Sequence, residues 1–401
     1  MLLSKEGIRD PYPIYHELRA EAPVYWSDAL GMWLATGYHE VRELFRNSER
    51  FPFLDPQRLV SRLDPDVQAQ LPILTALEAR PVLVNPPAHT AHRALMNRSL
   101  SPRTLSAKRE WIEATCEKLA DRLAEREQPD LISDFTAPFA YSVLLGLFGS
   151  PLEHIPVYEQ AADAFFVFWS LGRATPEAAL EYERALAELS RALESVYDYA
   201  RERPDDTVIG SLLVAEEDGR LDSREMFAIL AKFFASGQEN LIYTPAVAML
   251  QLLRHPDQLE LVRADPTLAA AAFEEAVRFD PPAQLNPRGV AADTELGGAL
   301  LRRGDEVAAV KAAANRDPAA WTDADRFDIT RDQNEPPFGS VSFGQGIHFC
   351  IGAGVARLVG ATAVAALVRR FPEMRLPDGW QPAWRSIPLR RQLTELPVVL
   401  Q

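Results

Sequence analysis

The sequence predicts an α+β fold: one large, mainly helical domain over residues 1–401 with minor β-structure at its edges. Nearly every segment between about residues 86 and 280 carries helical hydrophobic periodicity, and prolines lie at many of the breaks. Short strand-like runs occur only towards the two ends of the chain. No internal repeat, low-complexity run or Gly/Ser linker divides it.

The predicted elements begin with a helix at residues 11–20 and a small β-hairpin, in which S-D-A-L-G separates the strands P-V-Y-W and M-W-L-A-T. After the helical region, strand-like pieces around G-G and R-G-D occupy residues 283–310. A long loop rich in Pro, Gly, Asp and Asn follows over about 315–349. The chain ends with a helix over 351–371 and a strand in the tail T-E-L-P-V-V-L.

Composition narrows the function classes. Hydrophobic residues make up 47% and charged residues 25% of the chain, which is typical of a globular protein. Asp and Glu (57) outnumber Lys and Arg (42), and the resulting charge of −15 disfavours nucleic acid as a partner. Two cysteines are too few for a disulfide scaffold and fit a reducing compartment.

No export or membrane segment is visible in the sequence. The N-terminal M-L-L-S-K-E-G-I-R-D is charged and lacks the apolar core of a signal peptide. The longest apolar region, residues 226–253, is interrupted by Lys232 and by S-G-Q-E-N. It therefore predicts a buried helix, because a membrane span needs about 20 apolar residues. We expect a soluble, cytoplasmic protein with no membrane partner.

The stretch F-G-Q-G-I-H-F-C-I-G-A-G-V-A-R at 343–357 carries the most chemical information. Cys350 follows a glycine-rich loop and precedes an apolar helix, so a thiolate there would receive backbone N–H groups and the positive end of the helix dipole. Gly344 and Gly346 let the backbone pass close to a bulky neighbour, and Gly352 removes a side chain beside the sulfur.

Other interpretations of this loop fit less well. An isolated buried cysteine is usually an inert apolar residue, which is how we interpret Cys116. The run G-A-G-V-A-R is not a dinucleotide-binding turn, because Arg357 occupies the third glycine position. A zinc site would need a Cys-x-x-Cys or paired histidines near Cys350, and a cysteine protease would need its own local signature. The sequence has neither.

The loop resembles the heme-binding signature of the cytochrome P450 family, F-G-x-G-x-H-x-C-x-G, at every fixed position. The resemblance implies a P450 fold, with a long central helix over the heme, and heme b (iron protoporphyrin IX) as the cofactor. It makes Cys350 the axial thiolate ligand of iron, which favours O–O cleavage. It also places Phe343, Gly344 and Gly352 in the cofactor-binding loop.

The run E-A-V-R at 275–278 resembles the family's E-x-x-R motif. Glu275 and Arg278 are three residues apart and so share one helix face. The resemblance gives the pair a structural role, in which it locks its helix to the stretch that contains A-N-R-D-P and R-F-D.

A third motif concerns the heme carboxylates. The run N-P-P-A-H-T-A-H-R begins a helix with proline near its first turn, and His89 and Arg93 face the same way. They resemble the family's H-x-x-x-R, whose side chains bind the propionates, and Arg288 and His348 match two further propionate partners. Buried carboxylates require such cations. His92 is predicted to be a bystander on the opposite face.

The segment M-F-A-I-L-A-K-F-F-A-S-G-Q-E-N-L resembles the family's central helix, whose oxygen-activating motif usually reads A-G-x-E-T or A-G-x-D-T. Here Ser236 and Gly237 precede the acid Glu239, and Asn240 replaces the usual threonine. Gly237 would leave room for dioxygen and for a helix distortion.

Asn240 leaves three interpretations open, because an amide is a poor proton relay. In the first, it holds a water that substitutes for the hydroxyl, together with Ser236 or Thr244. In the second, a hydroxyl of the substrate completes the relay. In the third, the protein performs another heme chemistry, such as peroxide-driven oxidation or oxidative coupling.

Positive charge is concentrated in two acid-free stretches, residues 79–109 and 336–371. One interpretation is that these bases serve the heme propionates or are simply solvated. The other is a docking patch on the proximal side of the heme for a ferredoxin-type electron donor, since complementary charge steers encounter. The bases are Arg80, Arg93, Arg98, Arg103, Lys108, Arg109, Arg357, Arg369 and Arg370.

The resemblance places the variable, substrate-facing segments near 52–84, 160–180, 231–241, 282–290 and 386–396. The aromatic run at 165–169 is the clearest pocket candidate, although an aromatic cluster equally suits a core. These segments predict an apolar small-molecule substrate. The candidate residues are Phe165, Phe166, Phe168, Trp169, Phe233, Phe234, Leu285 and Leu393.

The sequence thus predicts a heme-thiolate monooxygenase that inserts one oxygen atom from O2 into an apolar organic substrate, in bacterial secondary metabolism or catabolism. Electrons would come from NAD(P)H through a ferredoxin reductase and a ferredoxin. The alternative is a protein of the same fold that acts as a peroxygenase, an oxidative-coupling enzyme or a non-catalytic heme protein, because Asn240 replaces the threonine.

Overall fold

A computed structural model describes residues 2–54, 57–78, 85–169, 175–202, 207–332, 336, 339–387 and 390–401. The α-helices of this part of the chain are α1 (Lys5–Arg9), α2 (Tyr12–Glu21), α3 (Tyr38–Arg46), α4 (Gln57–Val60), α5 (Pro65–Gln68), α6 (Pro72–Glu78), α7 (Ala88–Asn97), α8 (Pro102–Ala124), α9 (Ala137–Phe148), α10 (Ile155–Trp169), α11 (Pro176–Glu202), α12 (Val208–Glu217), α13 (Ser223–Arg254), α14 (Pro256–Ala264), α15 (Ala269–Phe279), α16 (Lys311–Ala314) and α17 (Ala353–Arg370). The strands are β1 (Val24–Ser27), β2 (Met32–Ala35), β3 (Leu285–Gly289), β4 (Thr294–Leu296), β5 (Ala299–Leu301) and β6 (Glu306–Val310).

The packing of the chain defines two compact units. Unit 1 comprises Met1–Phe53, Arg109–Phe139 and Asn240–Gln401, and unit 2 comprises Leu54–Lys108 and Ala140–Glu239. The single functional domain expected over residues 1–401 stays a prediction.

A four-stranded sheet in unit 1 has the order β1-β2-β6-β3. The strands β1 and β2 form the predicted antiparallel hairpin, β2 pairs with β6 in parallel, and β3 pairs with β6 antiparallel, with Arg288 opposite Val307. The strands β4 and β5 form a separate hairpin. Apolar side chains of α3, including Leu44 and Phe45, are buried against this sheet. The burial of these side chains holds α3 against the sheet. The segment that follows α3 therefore lies beside β3.

The helices α15 and α17 of unit 1 pack closely, because Gly360 of α17 lies directly against the ring of Phe273 in α15. A side chain at Gly360 would have no room there. This contact holds the helix that carries Glu275 and Arg278 against the helix that begins just after Cys350.

Aromatic and acidic side chains organise unit 2. The rings of Tyr158 and Phe234 stack with their centroids 3.9 Å apart, which packs α10 on α13. The buried carboxylate of Glu183 in α11 accepts hydrogen bonds from the backbone N–H groups of Ile73 and Leu74, at 2.8 Å each, and so caps α6.

Most of the predicted elements are confirmed, among them the helix at 11–20, the hairpin, the strand pieces at 283–310 and the last helix. The region 226–253 is confirmed as part of α13, and no helix among the described residues is long and apolar enough to cross a membrane. The strand predicted for the tail is wrong. Two of its residues make isolated bridges to different segments, Pro397 with Asp130 and Val399 with Arg375, so no ladder forms.

Candidate functional site

The Cys350 loop of unit 1 is a tight turn that ends at α17. The Cys350 backbone N–H donates to the carbonyl oxygen of Phe343 at 2.8 Å, which closes the loop. Gly346 has φ +69°, and a Cβ there would lie 2.6 Å from the carbonyl oxygen of Phe45. A Cβ at Gly352 would lie 3.9 Å from the Cys350 sulfur, so this glycine stands directly beside it. The sequence therefore folds into a turn that presents the half-buried sulfur at the start of a helix.

Arg288 and His348, the two predicted propionate partners in unit 1, converge on one ring. The guanidinium of Arg288 lies 4.4 Å from the ring centroid of Phe53, and the imidazole of His348 lies 5.3 Å from the same ring. Phe53 reaches this position because it forms a bridge with Arg288 at the edge of the sheet. Sequence reasoning missed Phe53, which the chain offers only as one aromatic among many.

Glu275 and Arg278 form a buried, bidentate ion pair in unit 1. Both nitrogen–oxygen distances are 2.7 Å, and the side chains are 0% and 2% exposed. Arg278 also donates to the carbonyl oxygens of Asn315, Ala324 and Arg326. Asn315 belongs to A-N-R-D-P and Arg326 to R-F-D, and Ala324 lies two residues before R-F-D, so Arg278 contacts both stretches, as the E-x-x-R interpretation requires.

A cluster of positive groups forms in unit 2 around His89. Burial lowers the pKa of His89, and the nearby charges of Arg93, Lys232 and His92 lower it further. His92, the predicted bystander, has its Nε2 atom 3.8 Å from the carboxylate of Glu225. The structure therefore brings His89 and Arg93 together as predicted, and it adds Lys232, whose place in an apolar helix was the only signal in the sequence.

The central helix α13 includes Gly237 and is continuous from Ser223 to Arg254. A Cβ at Gly237 would lie 3.3 Å from Leu144 within unit 2. Glu239 is 2% exposed and Thr244 is 4% exposed, whereas Asn240 is half-buried.

Ser236 is exposed, and its hydroxyl donates to the carbonyl oxygen of Lys232 at 2.7 Å. The hydroxyl proton is thus engaged within the helix, which leaves the oxygen as an acceptor. Of the two hydroxyls suggested as helpers of Asn240, Ser236 can accept a hydrogen bond but does not offer its proton.

The aromatic pocket candidates of α10 divide by burial. Phe168 is fully buried and packs on Tyr182, with ring centroids 5.5 Å apart, and Phe166 is 5% exposed. These contacts favour the core alternative for both. Phe165 and Trp169 are half-buried and stay pocket candidates, as do Phe233 and Leu285. Phe234 and Leu393 are 2% and 1% exposed and pack in the cores of units 2 and 1, respectively.

The acid-free stretches differ in their ion pairing. The three arginines of the stretch 336–371 each meet an acid of unit 1, and the pairs are Arg357 with Glu274, Arg369 with Glu117 and Arg370 with Asp121. In the stretch 79–109, Arg103 is exposed and Arg109 pairs with Glu113 at 3.5 Å. Arg80 lies outside the described residues.

These donor sets fit a heme. Arg288 is 3% exposed, burial lowers its pKa to about 10, and no carboxylate of the described residues forms an ion pair with it. A buried guanidinium of this kind requires an anion, which a propionate supplies. A cysteine sulfur at a helix start, in the same unit, supplies the ligand that iron takes in heme-thiolate proteins. The class that fold and site define is therefore the heme-thiolate oxygenases.

The similarity of this chain to known proteins supports this class. The family model described as cytochrome P450 matches residues 67–382. The biotin biosynthesis cytochrome P450 of Bacillus subtilis (strain 168) is 30% identical over 99% of this chain and 98% of its own length. The 6-deoxyerythronolide B hydroxylase of Saccharopolyspora erythraea is 31% identical over 98% and 96% of the two chains. The crystal structure of P450BioI in complex with a hexadec-9Z-enoic acid-ligated acyl carrier protein has TM-score 0.88 and 28% identity, and covers 99% of this chain and 100% of that one.

The chain belongs to the cytochrome P450 family. It has the P450 fold and is a monooxygenase, with heme as cofactor and O2 as co-substrate. Like other members, it takes a small-molecule substrate and a redox partner.

Proposed function

We propose that this P450 oxidises an apolar organic molecule in bacterial secondary metabolism, with electrons from NAD(P)H delivered by a ferredoxin reductase and a ferredoxin. The observation that carries the proposal is the convergence of Arg288 and His348 on Phe53, beside the loop that presents Cys350. The names of relatives support the substrate class, since they include a 6-deoxyerythronolide B hydroxylase and an epothilone C/D epoxidase. Turnover with NAD(P)H, reductase and ferredoxin tests it directly.

The residues of this chain divide the work in the proposed reaction. Cys350 would hold the iron of the heme, and the heme when bound would supply the redox chemistry that activates O2. In unit 1, Arg288 and His348 are assigned to the propionates, and in unit 2 the same role falls to His89 and Arg93. All four side chains can act as cations or hydrogen-bond donors, which carboxylates need when they are removed from water.

Glu239 and Asn240 are assigned to proton delivery from α13. Glu239 is buried, so its carboxylate is held away from bulk water. The Asn240 amide can hold a water by donating and accepting hydrogen bonds, although it cannot itself pass a proton on. Ser236 can accept from that water, because its own proton is engaged with the Lys232 carbonyl. The first of the three interpretations of Asn240 is therefore the one we propose.

Replacement of Asn240 by threonine tests this assignment. If the asparagine and its water form a working relay, Asn240→Thr will leave the product formed per NAD(P)H unchanged or lower it. Asn240→Ala, which cannot hold the water, should lower the rate of product formation by about 100-fold, the usual worth of positioned acid–base groups. A clear rise in product per NAD(P)H in Asn240→Thr would contradict the assignment and show an impaired site.

A second candidate function is peroxide-driven oxidation or oxidative coupling, and the observation in its favour is Asn240 itself. Such chemistry needs no proton relay from a threonine. Turnover with hydrogen peroxide alone, at rates that match or exceed those with the ferredoxin system, would favour this candidate over the monooxygenase.

The docking site for the electron donor is assigned to the stretch 79–109. Its exposed Arg103 contrasts with Arg369 and Arg370, which acids of unit 1 already neutralise. Charge complementarity raises association rates by about tenfold or more at low ionic strength and is screened by salt. The ferredoxin surface that would meet this stretch is expected to be acidic.

Arg103→Glu should therefore slow electron transfer from ferredoxin by about tenfold at low salt, with the difference shrinking as salt is added. Arg191→Glu reverses an equally exposed charge on α11, outside the acid-free stretches, and serves as the matched control. Stopped-flow reduction under carbon monoxide measures the rate. Equal rates for Arg103→Glu and the control would remove the stretch from the docking site.

A further inference from the structure

Backbone hydrogen bonds in unit 1 fix the position of Phe53 beside β3. The N–H of Gly289 donates to the carbonyl oxygen of Pro52 at 2.9 Å, and the N–H of Ala291 donates to that of Arg50 at the same distance. The segment that contains Phe53 therefore runs along the edge of the sheet. Because these bonds involve no atom of the Phe53 ring, the ring can be replaced without removing what places the backbone.

The ring of Phe53 lies against two polar side chains from separate parts of unit 1. Phe53 forms a bridge with Arg288, whose guanidinium carbon lies 4.4 Å from the Phe53 ring centroid and 5.4 Å from that of Phe45 in α3. The His348 ring lies 5.3 Å from the same Phe53 ring, at an angle of 55°. Aromatic faces attract guanidinium groups, and tilted aromatic pairs at this distance are favourable. One ring thus contacts a side chain of β3 and a side chain of the Cys350 loop.

These contacts restrict groups that would otherwise be mobile. An arginine side chain has many rotamers and loses that freedom when it binds a carboxylate. A guanidinium that already rests on an aromatic ring loses less freedom at the moment of binding, so its bond to the anion is stronger. Arg288 is 3% exposed and also donates to the carbonyl oxygen of Pro287 at 2.9 Å, so its side chain is held on more than one side.

We propose that Phe53 is a positioning residue that holds the Arg288 guanidinium and the His348 imidazole in place for the heme propionates. The proposal rests on the proposed function, which assigns these two side chains to the propionates, and adds a residue that acts through them. The alternative role for Phe53 is to line the substrate pocket, since the segment 52–84 is predicted to face the substrate. The test separates the two roles.

The test is the rate at which the heme-loaded protein loses heme to excess apomyoglobin, followed by absorbance. Phe53→Leu keeps an apolar side chain but removes the aromatic face, and it should release heme tenfold or more faster. Phe53→Tyr keeps the face and should stay within twofold of the unaltered protein. Phe279→Leu is the matched control: Phe279 is a half-buried residue of unit 1 whose ring lies 3.5 Å from the guanidinium carbon of Arg316. This control should also stay within twofold.

A double-mutant cycle shows whether Phe53 acts through Arg288. Arg288→Met should itself speed heme loss, and adding Phe53→Leu to it should change the rate by less than threefold, because the guanidinium that the ring holds is already gone. If Arg288→Met does not load with heme, Arg288→Gln replaces it. If neither loads, the contrast between Phe53→Leu and Phe53→Tyr still decides the proposal.

Three results would overturn the proposal. The first is heme loss from Phe53→Leu that is no faster than from Phe279→Leu, and the second is equally fast loss from Phe53→Tyr and Phe53→Leu. The third is a full tenfold effect of Phe53→Leu on top of Arg288→Met, which would assign the ring to general packing. If Phe53→Leu keeps its heme but binds 4-phenylimidazole with altered affinity in a spectral titration, the residue lines the substrate pocket instead.

The proposed function fails separately. Its failure would appear in the unaltered protein, as the absence of ferredoxin-supported turnover or of the thiolate-type spectrum of the reduced carbon monoxide complex. The rates of heme loss from the Phe53 variants do not depend on turnover, so they test the positioning role by itself.

Discussion

Cys350→Ser is expected to abolish the thiolate-type spectrum of the reduced carbon monoxide complex and, with it, ferredoxin-supported turnover. A serine hydroxyl is not the electron-rich, soft ligand that a cysteine thiolate is, so the iron would lose the donor that favours O–O cleavage. Loss of residues that merely support a metal ligand already costs about 10–100-fold in activity or metal affinity. Loss of the ligand itself should exceed that range.

Cys116→Ala is the matched control for this experiment. Cys116 is 0% exposed, burial raises its pKa to about 12, and its sulfur donates only a long hydrogen bond of 3.8 Å to the Thr362 carbonyl oxygen. It lies in the same unit as Cys350. The control should keep the thiolate-type band. A band that survives in Cys350→Ser and vanishes in Cys116→Ala would reverse the assignment of the two cysteines.

Arg278→Met is expected to lower the free energy of unfolding by about 3–5 kcal/mol, the cost of breaking a buried ion pair from one side. The substitution strands the Glu275 carboxylate, which is 0% exposed, and removes the donor that the carbonyl oxygens of Asn315 and Ala324 share. Buried acceptors without donors add to the penalty. Chemical denaturation of the heme-loaded protein, followed by heme absorbance and circular dichroism, measures the loss.

Arg302→Met provides the contrast for Arg278→Met. Arg302 pairs with Asp293 at 2.8 Å, but both side chains are more than half exposed, and exposed pairs contribute little. Its denaturation midpoint should stay close to that of the unaltered protein. If Arg278→Met does not accumulate, Arg278→Lys, which keeps the charge but not the bidentate geometry, should fall between the two. Equal midpoints for Arg278→Met and Arg302→Met would show that the buried pair is not a major support of unit 1.

Much of the candidate site could be predicted from short stretches of sequence. The Cys350 loop, the Glu275–Arg278 pair and the His89–Arg93 pair are each contained in one turn or one helix. The residues of each motif contact one another because they are only a few positions apart in the chain, and this spacing can be read from the sequence. The same holds for the hairpin of β1 and β2, whose turn and strands are adjacent in the chain.

Other features could not be predicted because they depend on which distant segments meet. The pairing of the three arginines of 336–371 with Glu274, Glu117 and Asp121 is one example, and it removed half of the proposed docking patch. The burial of Phe168 against Tyr182 is another example, since the sequence of an aromatic run does not distinguish a core from a pocket. The strand predicted for the tail is wrong for a related reason, because its two bridge partners, Asp130 and Arg375, come from separate segments.

The sequence by itself determined the family, the helical architecture and the identity of the cysteine beside the helix. Each of these follows from hydrophobic periodicity or from the spacing of residues within a short motif. Only the tertiary structure decided that Arg288 and His348 both lie against the ring of Phe53, and that the charge of Lys232 is near enough to His89 to lower its pKa. These are contacts between segments far apart in the chain. Burial and charge there are set by packing, to which local sequence patterns contribute no information.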